Sequence, residues 1–277
     1  MAVATDTLER AVLAALAEDI GAGDVTTEAT VPEGALGTAE LLVKEPGVVC
    51  GLRAAESTFR ALDPDIRFEA IASDGDVIDE PPAVVARVTG SERAILTGER
   101  VALNFVGRMS GIATLTRRYV TAVEGTGAAV LDTRKTTPGL RALEKHAVAA
   151  GGGRNHRFGL DDAVLVKDNH LRATGSVTGA VRLVRAASDL PIEVECETLA
   201  QVAEAVEAGV DAILLDNMTL AELREAVALT AGRARLEASG GVSLDTIRAI
   251  AETGVDEISV GALTHSARSL DVSLELT

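Results

Sequence analysis

Residues 131–170 read LDTRKTTPGLRALEKHAVAAGGGRNHRFGLDDAVLVKDNH, and this stretch decides how the fold of the chain is interpreted. It starts at the end of one apolar segment and finishes just after another, so two parallel strands joined by a helix-containing connection are predicted. It also holds four Arg, three Lys and three His, although the chain carries a formal net charge of -16. Cations grouped in an acidic protein predict a pocket for an anionic ligand.

The composition of the 277-residue chain predicts a globular protein with one large α/β barrel or two domains. Its acidic balance, with a pI of about 4.7, argues against binding to nucleic acid or to an anionic membrane surface. The scarcity of aromatic residues argues against stacking on bases. No apolar run reaches the roughly 20 residues that span a bilayer.

The N-terminal stretch and the two cysteines indicate a cytoplasmic protein. Charges run through an amphipathic N-terminal helix, which Gly21 ends, so this segment differs from a signal peptide. The apolar face of that helix holds Leu8, Val12, Leu16 and Ile20. Cys50 and Cys196 lie far apart in apolar contexts, which favours small core residues over a disulfide framework.

The N-terminal half is predicted to form an antiparallel sheet with helices. Short β-rich segments at 39–45, 48–52, 66–72 and 83–90 are separated by turn signals. Pieces of this half are similar to carrier domains, but no Lys lies in a hairpin tip between them, which disfavours a carrier function. From Ser91 a helix is expected, and a second one past Gly107 and Gly111 ends near 124–125, with a hinge between the halves.

After Gly127 the pattern becomes a regular alternation of apolar strands and amphipathic helices, which indicates parallel β/α units. Six strands are predicted, at 128–133, 163–168, 192–197, 212–217, 235–240 and 257–262. Their number favours an incomplete barrel over an eightfold one. An open doubly wound sheet is the alternative.

Each of these strands ends in polar or small residues, and the carboxyl ends of parallel strands meet at one mouth. Lys167 closes an apolar strand, where an unpaired ammonium is costly unless it faces that mouth. By contrast, Arg141, Glu144, Lys145 and His146 are interpreted as a solvated or salt-bridged helix face. Asp161 and Asp162 are interpreted as a loop or cap.

The last two strand ends predict a phosphate site. Ser239–Gly241 and Gly261 let backbone N–H groups approach an anion near a helix start, and His265 adds a cation. Glu195 and Asp216 come from adjacent strand ends, and spacing alone leaves open whether they are buried counter-ions or serve Mg2+ and ribose hydroxyls. No zinc-type cluster, G-x-S-x-G, Walker or G-x-G-x-x-G element is present.

The cation-rich stretch resembles the signature of the quinolinate phosphoribosyltransferase family. The similarity covers nearly the whole chain, continuing through EDIGAGDVTT, GERVALNFVGRMSGIAT, IEVECET, LLDNM, EASGGV and ISVGALTHSARSLDVSLEL. It implies transfer of phosphoribosyl from phosphoribosyl pyrophosphate to quinolinate with loss of CO2, giving nicotinate mononucleotide in NAD biosynthesis. It also implies Mg2+, a seven-stranded open barrel and a homodimer with shared active sites.

The resemblance also implies domains and site residues. We expect an N-terminal α/β sandwich at 1–109, joined by 266–277, and an α/β barrel at 110–265. The quinolinate-binding residues would be Arg100 (from the neighbouring subunit), Arg134, His156, Arg157 and Lys167. The phosphoribosyl pyrophosphate-binding residues would be Lys135, Glu195, Asp216, Ser239, Gly240, Gly261 and His265. The catalytic set would be Lys135, Lys167, Glu195 and Asp216, the last two near the metal, directly or through water.

Two departures from the family pattern are slight, because His146 replaces a frequent Tyr and Cys196 a frequent aliphatic residue. Two other functions stay open. One is a paralogous pyrophosphorylase-like enzyme of molybdenum-transport operons with another acceptor. The other is a non-catalytic anion-binding protein on the same scaffold, although the complete set of cations and acids argues against it.

Overall fold

The computed structural model describes residues 3–277 and divides the chain into two compact units. The first unit contains the residues up to Arg117, Thr136–Gly152 and Leu263–Thr277, and the second contains Arg118–Lys135 and Gly153–Ala262. This division groups 110–117 and 136–152 with the N-terminal segments, whereas the sequence places them in the barrel domain. The domain boundaries given above stay a prediction.

The described part of the chain alternates helices and strands. The helices are α1 (Thr5–Ile20), α2 (Val25–Thr30), α3 (Leu52–Leu62), α4 (Glu92–Ala122), α5 (Arg141–Ala150), α6 (Asp168–Thr174), α7 (Val177–Ala187), α8 (Leu199–Glu207), α9 (Leu220–Thr230), α10 (Ile247–Ala251) and α11 (Ala262–His265). The strands are β1 (Leu36–Val43), β2 (Gly47–Val48), β3 (Arg67–Ala70), β4 (Val77–Ile78), β5 (Ala83–Ser91), β6 (Ala129–Leu131), β7 (Val164–Val166), β8 (Ile192–Cys196), β9 (Ala212–Asp216), β10 (Arg235–Ser239), β11 (Glu257–Ser259) and β12 (Val272–Leu276).

The first unit is built on a four-stranded antiparallel sheet in the order β12-β1-β5-β3. Apolar residues at alternate positions of β1, namely Ala39, Leu41 and Val43, are buried in the core of this unit because successive side chains point to opposite faces. The C-terminal strand β12 pairs along β1, from Ala39 with Leu276 to Val43 with Val272. The end of the chain thus returns to the N-terminal sheet, as the resemblance implies.

The expectation of two helices in this region is wrong. Helix α4 is a single helix, and its 31 residues run without a break through both interior glycines. These glycines serve close packing. A Cβ at Gly107 would lie 3.1 Å from the carbonyl oxygen of Leu270, and one at Gly111 would overlap the carbonyl oxygen of Arg268. The glycines therefore let the C-terminal segment lie against the helix, and no hinge interrupts it there.

The expectation of a strand at 48–52 is also wrong, because β2 ends at Val48 and α3 begins at Leu52. Gly51 takes a left-handed φ of 101°, which ends the extended conformation and starts the helix. Other expectations for this unit and for the cysteines are confirmed. Helix α1 ends before Gly21, and Cys50 and Cys196 are buried free thiols.

The second unit is built on a six-stranded parallel sheet in the order β6-β11-β10-β9-β8-β7, and it contains all six strands predicted for this half. From β7 to β11 each strand is added on the same side, and β6 then lies beyond β11. This order excludes the doubly wound alternative, in which the direction of addition reverses. It is instead the cyclic order of a barrel.

The sheet of the second unit is strongly curved. His156, just beyond the residue that bridges to β6, contacts side chains of both β8 and β10 within 3.3 Å. In a flat sheet β6 and β8 would be about 19 Å apart, at roughly 4.8 Å per strand. The sheet is open, because among residues 3–277 no pairing joins β6 to β7. The sheet has six strands among the described residues, where the resemblance implies seven, and one isolated parallel bridge joins Leu131 to Arg154.

No helix within residues 3–277 is both long enough and apolar enough to cross a membrane.

Candidate active site

The carboxyl ends of the parallel strands carry the predicted acids and one of the predicted cations. Lys167 follows β7, and its Nζ lies 2.5 Å from Oε2 of Glu195 on the neighbouring strand β8. The lysine side chain is 44% exposed and the glutamate side chain 12%. Lys167 therefore reaches the mouth with its charge paired on one side, as expected for a strand-end lysine.

A compact turn at the next two strand ends brings Asp216 beside the predicted phosphate loop. Asn217 takes a left-handed φ of 54°, donates its backbone N–H to the carbonyl of Ser239 at 2.9 Å, and donates its side-chain amide to Asp216 at 2.8 Å. Gly240, at φ 101°, lies against the Asn217 side chain, where a Cβ would overlap the amide oxygen. Glycine is therefore required at 240.

Two arginines of the cation-rich stretch lie near each other in this unit. Burial lowers the pKa of Arg157, and the nearby positive charge of Arg134 lowers it further, while the charge of Glu193 acts in the opposite direction. The Arg157 guanidinium also donates to the carbonyl oxygen of Ala163 at 3.2 Å. Arg134 is half-buried and Lys135 is exposed. The structure therefore brings two of the predicted cations, Arg134 and Arg157, near each other.

His156 lies deeper in the barrel, between two buried glutamates. Its Nε2 is 3.2 Å from Oε2 of Glu193 and 3.3 Å from Oε2 of Glu237. Burial by itself lowers the pKa of His156, but the hydrogen bonds and charges of the two carboxylates outweigh burial and raise it to about 10. Burial raises the pKa of Glu237, and Ser259 donates a hydrogen bond to its other oxygen.

No sequence motif marks Glu193 or Glu237 as a site residue, although the sequence carries a signal for them. Each lies in the interior of an apolar strand, where an ionisable side chain is expensive unless it has partners. The alternation of side chains along a strand puts Glu193 on the same face as Glu195, and Glu237 on the same face as Ser239. A search for acids on the inward face of each strand would have found both.

Two predicted site residues belong to the first unit. Arg100 is exposed, lines a cleft of about 1020 Å³ and makes no side-chain hydrogen bond or ion pair within the described part of the chain. His265 ends α11, and its Nδ1 lies 2.7 Å from the hydroxyl of Ser266.

Helix α5, also in the first unit, was expected to present a solvated or salt-bridged face, and the solvated alternative is wrong for two of its residues. Glu144 is 1% exposed and Lys145 is fully buried. Oε1 of Glu144 forms an ion pair with Nη2 of Arg108 at a distance of 2.8 Å. In the second unit, the loop interpretation of Asp162 is confirmed, because it accepts hydrogen bonds from the backbone of Phe158 and Gly159.

Comparisons with known proteins assign the chain to a family. Residues 24–110 match the family model described as quinolinate phosphoribosyl transferase, N-terminal domain, and residues 112–275 match the C-terminal domain of the same family. The nicotinate-nucleotide pyrophosphorylase [carboxylating] of Mycobacterium leprae is 45% identical over 282 residues, covering 99% of this chain and 97% of the relative. A protein of Bacillus subtilis named as a probable nicotinate-nucleotide pyrophosphorylase [carboxylating] is 44% identical over 262 residues, covering 94% and 90%.

A solved structure agrees. NadC from Streptococcus pyogenes superposes with a TM-score of 0.96 at 42% identity and covers 100% of this chain and 99% of that one. The N-terminal family model covers the segment that contains β1–β5, and the C-terminal one covers the segment that contains β6–β11. This chain therefore belongs to the quinolinate phosphoribosyl transferase family.

Proposed function

We propose that the protein transfers phosphoribosyl from phosphoribosyl pyrophosphate to quinolinate with decarboxylation, which makes it a glycosyltransferase (pentosyltransferase) of NAD biosynthesis. One observation carries the proposal. The barrel mouth combines Arg134 and Arg157 with the Lys167–Glu195 pair and Asp216, so cations and acids occur together. Quinolinate has two carboxylates and the second substrate a phosphate and a pyrophosphate, so a site for both must neutralise much negative charge.

The roles follow from this charge balance. Arg134 and Arg157 hold the quinolinate carboxylates, and Lys135 and Lys167 hold the departing pyrophosphate while Lys167 also contacts the diacid. In the second unit, the 5′-phosphate is bound by the loops that contain Ser239, Gly240 and Gly261, where small residues let the backbone approach an anion. The left-handed turn at Gly240 supports this assignment, because it brings the backbone close to the site.

Glu195 and Asp216 fit a magnesium ion. Both offer carboxylate oxygens from adjacent strands, and oxygen is the ligand type that Mg2+ prefers. Each uses one oxygen in the pair with Lys167 or Asn217, while the other makes no hydrogen bond to the residues that are described. When bound, Mg2+ supplies positive charge that helps pyrophosphate to leave.

The chemistry needs positioning more than it needs a nucleophile from the protein. The pyridine nitrogen attacks the anomeric carbon of ribose as the bond to pyrophosphate breaks, and the fixed cations hold the two reactants in line. The nitrogen becomes cationic on transfer, and its positive charge stabilises the electron pair that stays on carbon 2 when the 2-carboxylate departs as CO2. Carbon 2 then takes a proton from solvent, so no acid–base side chain is essential for this step.

A turnover assay tests the proposal. With phosphoribosyl pyrophosphate and Mg2+, quinolinate should give nicotinate mononucleotide and CO2. Nicotinate should be a very poor substrate, because cations desolvated for two carboxylates would be left partly unpaired. Comparable kcat/KM for the two acids, or no product from quinolinate, would refute the assignment. We place the reaction in the cytoplasm, where the free thiols Cys50 and Cys196 stay reduced.

We further propose a homodimer in which Arg100 completes the site of the other subunit. The support is its position, since it is an exposed arginine that lines a cleft of about 1020 Å³ in the first unit and has no side-chain partner among the described residues. Arg100→Ala and Lys135→Ala should each be nearly inactive. Refolding an equal mixture makes half of the dimers mixed, each with one intact site of two, so roughly a quarter of wild-type activity should return.

Two controls make the mixing experiment decisive. Both single variants must be folded dimers, and subunit exchange must be verified with differently tagged chains. If exchange occurs and no activity returns, Arg100 does not act across the interface.

A further inference from the structure

One turn joins Asp216, which the proposed function assigns to magnesium, to the loop that it assigns to the 5′-phosphate. Asp216 ends β9 and lies in register with Ser239, the last residue of β10. Immediately beyond, the backbone N–H of Asn217 donates to the carbonyl oxygen of Ser239 at 2.9 Å. This bond extends the pairing of the two strands by one step, so Asn217 lies where the two parts of the site meet.

The backbone of Asn217 is left-handed, with a φ of 54°. Glycine adopts this conformation freely, and asparagine tolerates it better than most residues do. Within residues 3–277, Ala231 is the one other non-glycine residue with a positive φ, and it lies at the end of helix α9, where left-handed residues are common. Asn217 follows a strand, so the end of a helix does not explain its conformation, and a local role has to be sought.

The left-handed turn brings the side chain of Asn217 to that of Asp216. In an extended strand, consecutive side chains point to opposite faces, so the side chains of neighbours do not meet. Here the amide nitrogen of Asn217 lies 2.8 Å from Oδ2 of Asp216. An ionised carboxylate only accepts hydrogen bonds, so the amide presents its nitrogen on this side. The turn therefore decides how the Asp216 carboxylate is held.

The other end of the same amide contacts the phosphate loop. A Cβ at Gly240 would overlap the amide oxygen of Asn217. Gly240 and Gly241 are both left-handed, at φ 101° and 58°. The amide thus lies between the carboxylate of Asp216 and the backbone of Gly240, and it contacts both.

We propose that Asn217 is a positioning residue, which holds the Asp216 carboxylate in the orientation that the ribose of the substrate requires. The inference rests on the proposed function, which places the phosphoribosyl group at this end of the barrel. With Oδ2 held by the amide, the carboxylate cannot rotate freely, and its other oxygen makes no hydrogen bond to the described residues. That oxygen is fixed in advance for a ribose hydroxyl, which lowers the entropy cost of binding.

Two substitutions separate the amide from the backbone turn. Asn217→Gly keeps the left-handed backbone and removes the amide, so its urea midpoint should stay close to that of the wild type. Asn217→Asp keeps the shape but sets an oxygen against Oδ2 of Asp216, where a donor is required. In both variants the dissociation constant for nicotinate mononucleotide, measured by calorimetry without added metal, should rise at least about tenfold, as the loss of a hydrogen bond to a charged group does.

Quinolinate and Ala231→Gly supply the matched controls. Quinolinate contains no ribose, so its dissociation constant should be unchanged in both Asn217 variants. In turnover, the KM for phosphoribosyl pyrophosphate should rise in Asn217→Gly while the KM for quinolinate stays constant. Ala231→Gly changes the other left-handed residue without removing a polar group, and its affinity for nicotinate mononucleotide should equal that of the wild type.

A double variant tests whether Asn217 acts through Asp216. When Asp216→Ala is already present, Asn217→Gly should cause no further loss of affinity for nicotinate mononucleotide, because the group that it orients is absent. The proposal is overturned if Asn217→Gly binds this nucleotide as the wild type does, if its loss multiplies with that of Asp216→Ala, or if quinolinate binding weakens to the same degree. Failure of the proposed function would look different, since the wild-type protein would then bind neither nicotinate mononucleotide nor quinolinate.

Discussion

Buried charges are satisfied to different degrees in the two units. In the first unit, Glu144 accepts hydrogen bonds from Nη2 and Nε of Arg108, at 2.8 and 3.2 Å, and from the hydroxyl and backbone N–H of Thr137, at 2.8 and 3.0 Å. In the second unit, Glu193 is 8% exposed, and its Oε1 finds no hydrogen-bond partner in the described part of the chain. Both side chains are buried carboxylates, and the number of partners is what differs.

This difference separates charges that serve the fold from charges that serve binding. A fully satisfied carboxylate fixes the backbone around it, and removing one partner leaves a buried charge unpaired. A buried carboxylate that lacks hydrogen-bond partners lowers the stability of the fold. Such a group persists where binding or catalysis requires it. We therefore expect substitutions that break fully satisfied buried ion pairs, such as that of Glu144, to act mainly on stability, and substitutions at the barrel mouth to act mainly on turnover.

The largest effect is expected from Arg108→Ala. Arg108 pairs with Glu144 and also donates to the carbonyl oxygens of Thr264 and Ala267, so its loss leaves a buried carboxylate without its counter-ion and removes a donor from both carbonyls. The free energy of unfolding, measured by urea denaturation, should fall by about 3 kcal/mol. Arg60→Ala, which removes an exposed pair with Glu56, should change it by less than about 0.5 kcal/mol. Equal losses would show that burial does not distinguish these pairs.

A smaller effect of the opposite kind is expected at the barrel mouth. Lys167→Ala should lower kcat at least about a hundredfold, or about 2.7 kcal/mol, as the loss of one preorganised charged donor does. Because the Lys167 side chain is 44% exposed, the urea midpoint should change little. His146→Ala is the control for turnover and should leave kcat nearly unchanged. Similar losses of kcat in the two variants would mean that the pocket is misplaced.

The same contrast explains what the sequence can predict. The six parallel strands and their polar ends follow from local patterns, because each strand is a short apolar run followed by residues such as Lys167 and Asp216. The partners of buried charges do not follow, since they come from distant segments. Glu144 lies on a helix with the spacing of a solvated face, yet Arg108, 36 residues earlier, buries it.

Helix α4 shows a second limit of predicting structure from local sequence patterns. Two glycines so close together are typical of a break between helices. The role of Gly107 and Gly111 instead depends on the distant segment near Leu270, which packs against them. Glu193 and Glu237 lie between these cases. Their strands are predictable and their inward face follows from alternation, but only the curvature of the sheet brings both to His156.

The smallest effect we predict concerns Asp74 in the first unit. It tests whether a fully hydrogen-bonded carboxylate changes the free energy of unfolding at acid pH. Asp74 accepts the backbone N–H of Gly51 at 2.9 Å and of Leu52 at 3.3 Å, and lies 2.8 Å from Nε2 of His146. Burial by itself raises the pKa of Asp74, but its hydrogen bonds and the charge of His146 outweigh burial and lower it below the ordinary value of 3.8.

A lowered pKa in the folded state means that the ionised carboxylate stabilises the protein above pH about 4, and that this contribution is lost as the pH falls through the folded-state pKa. Asp74→Asn keeps an oxygen for the backbone N–H groups and removes the charge. At pH 6 the variant should be about 1.5 kcal/mol less stable than the wild type in urea, and near pH 2 the two curves should converge. A constant difference at every pH would show that Asp74 acts through packing, and its satisfied charge would then contribute nothing to the stability of the first unit.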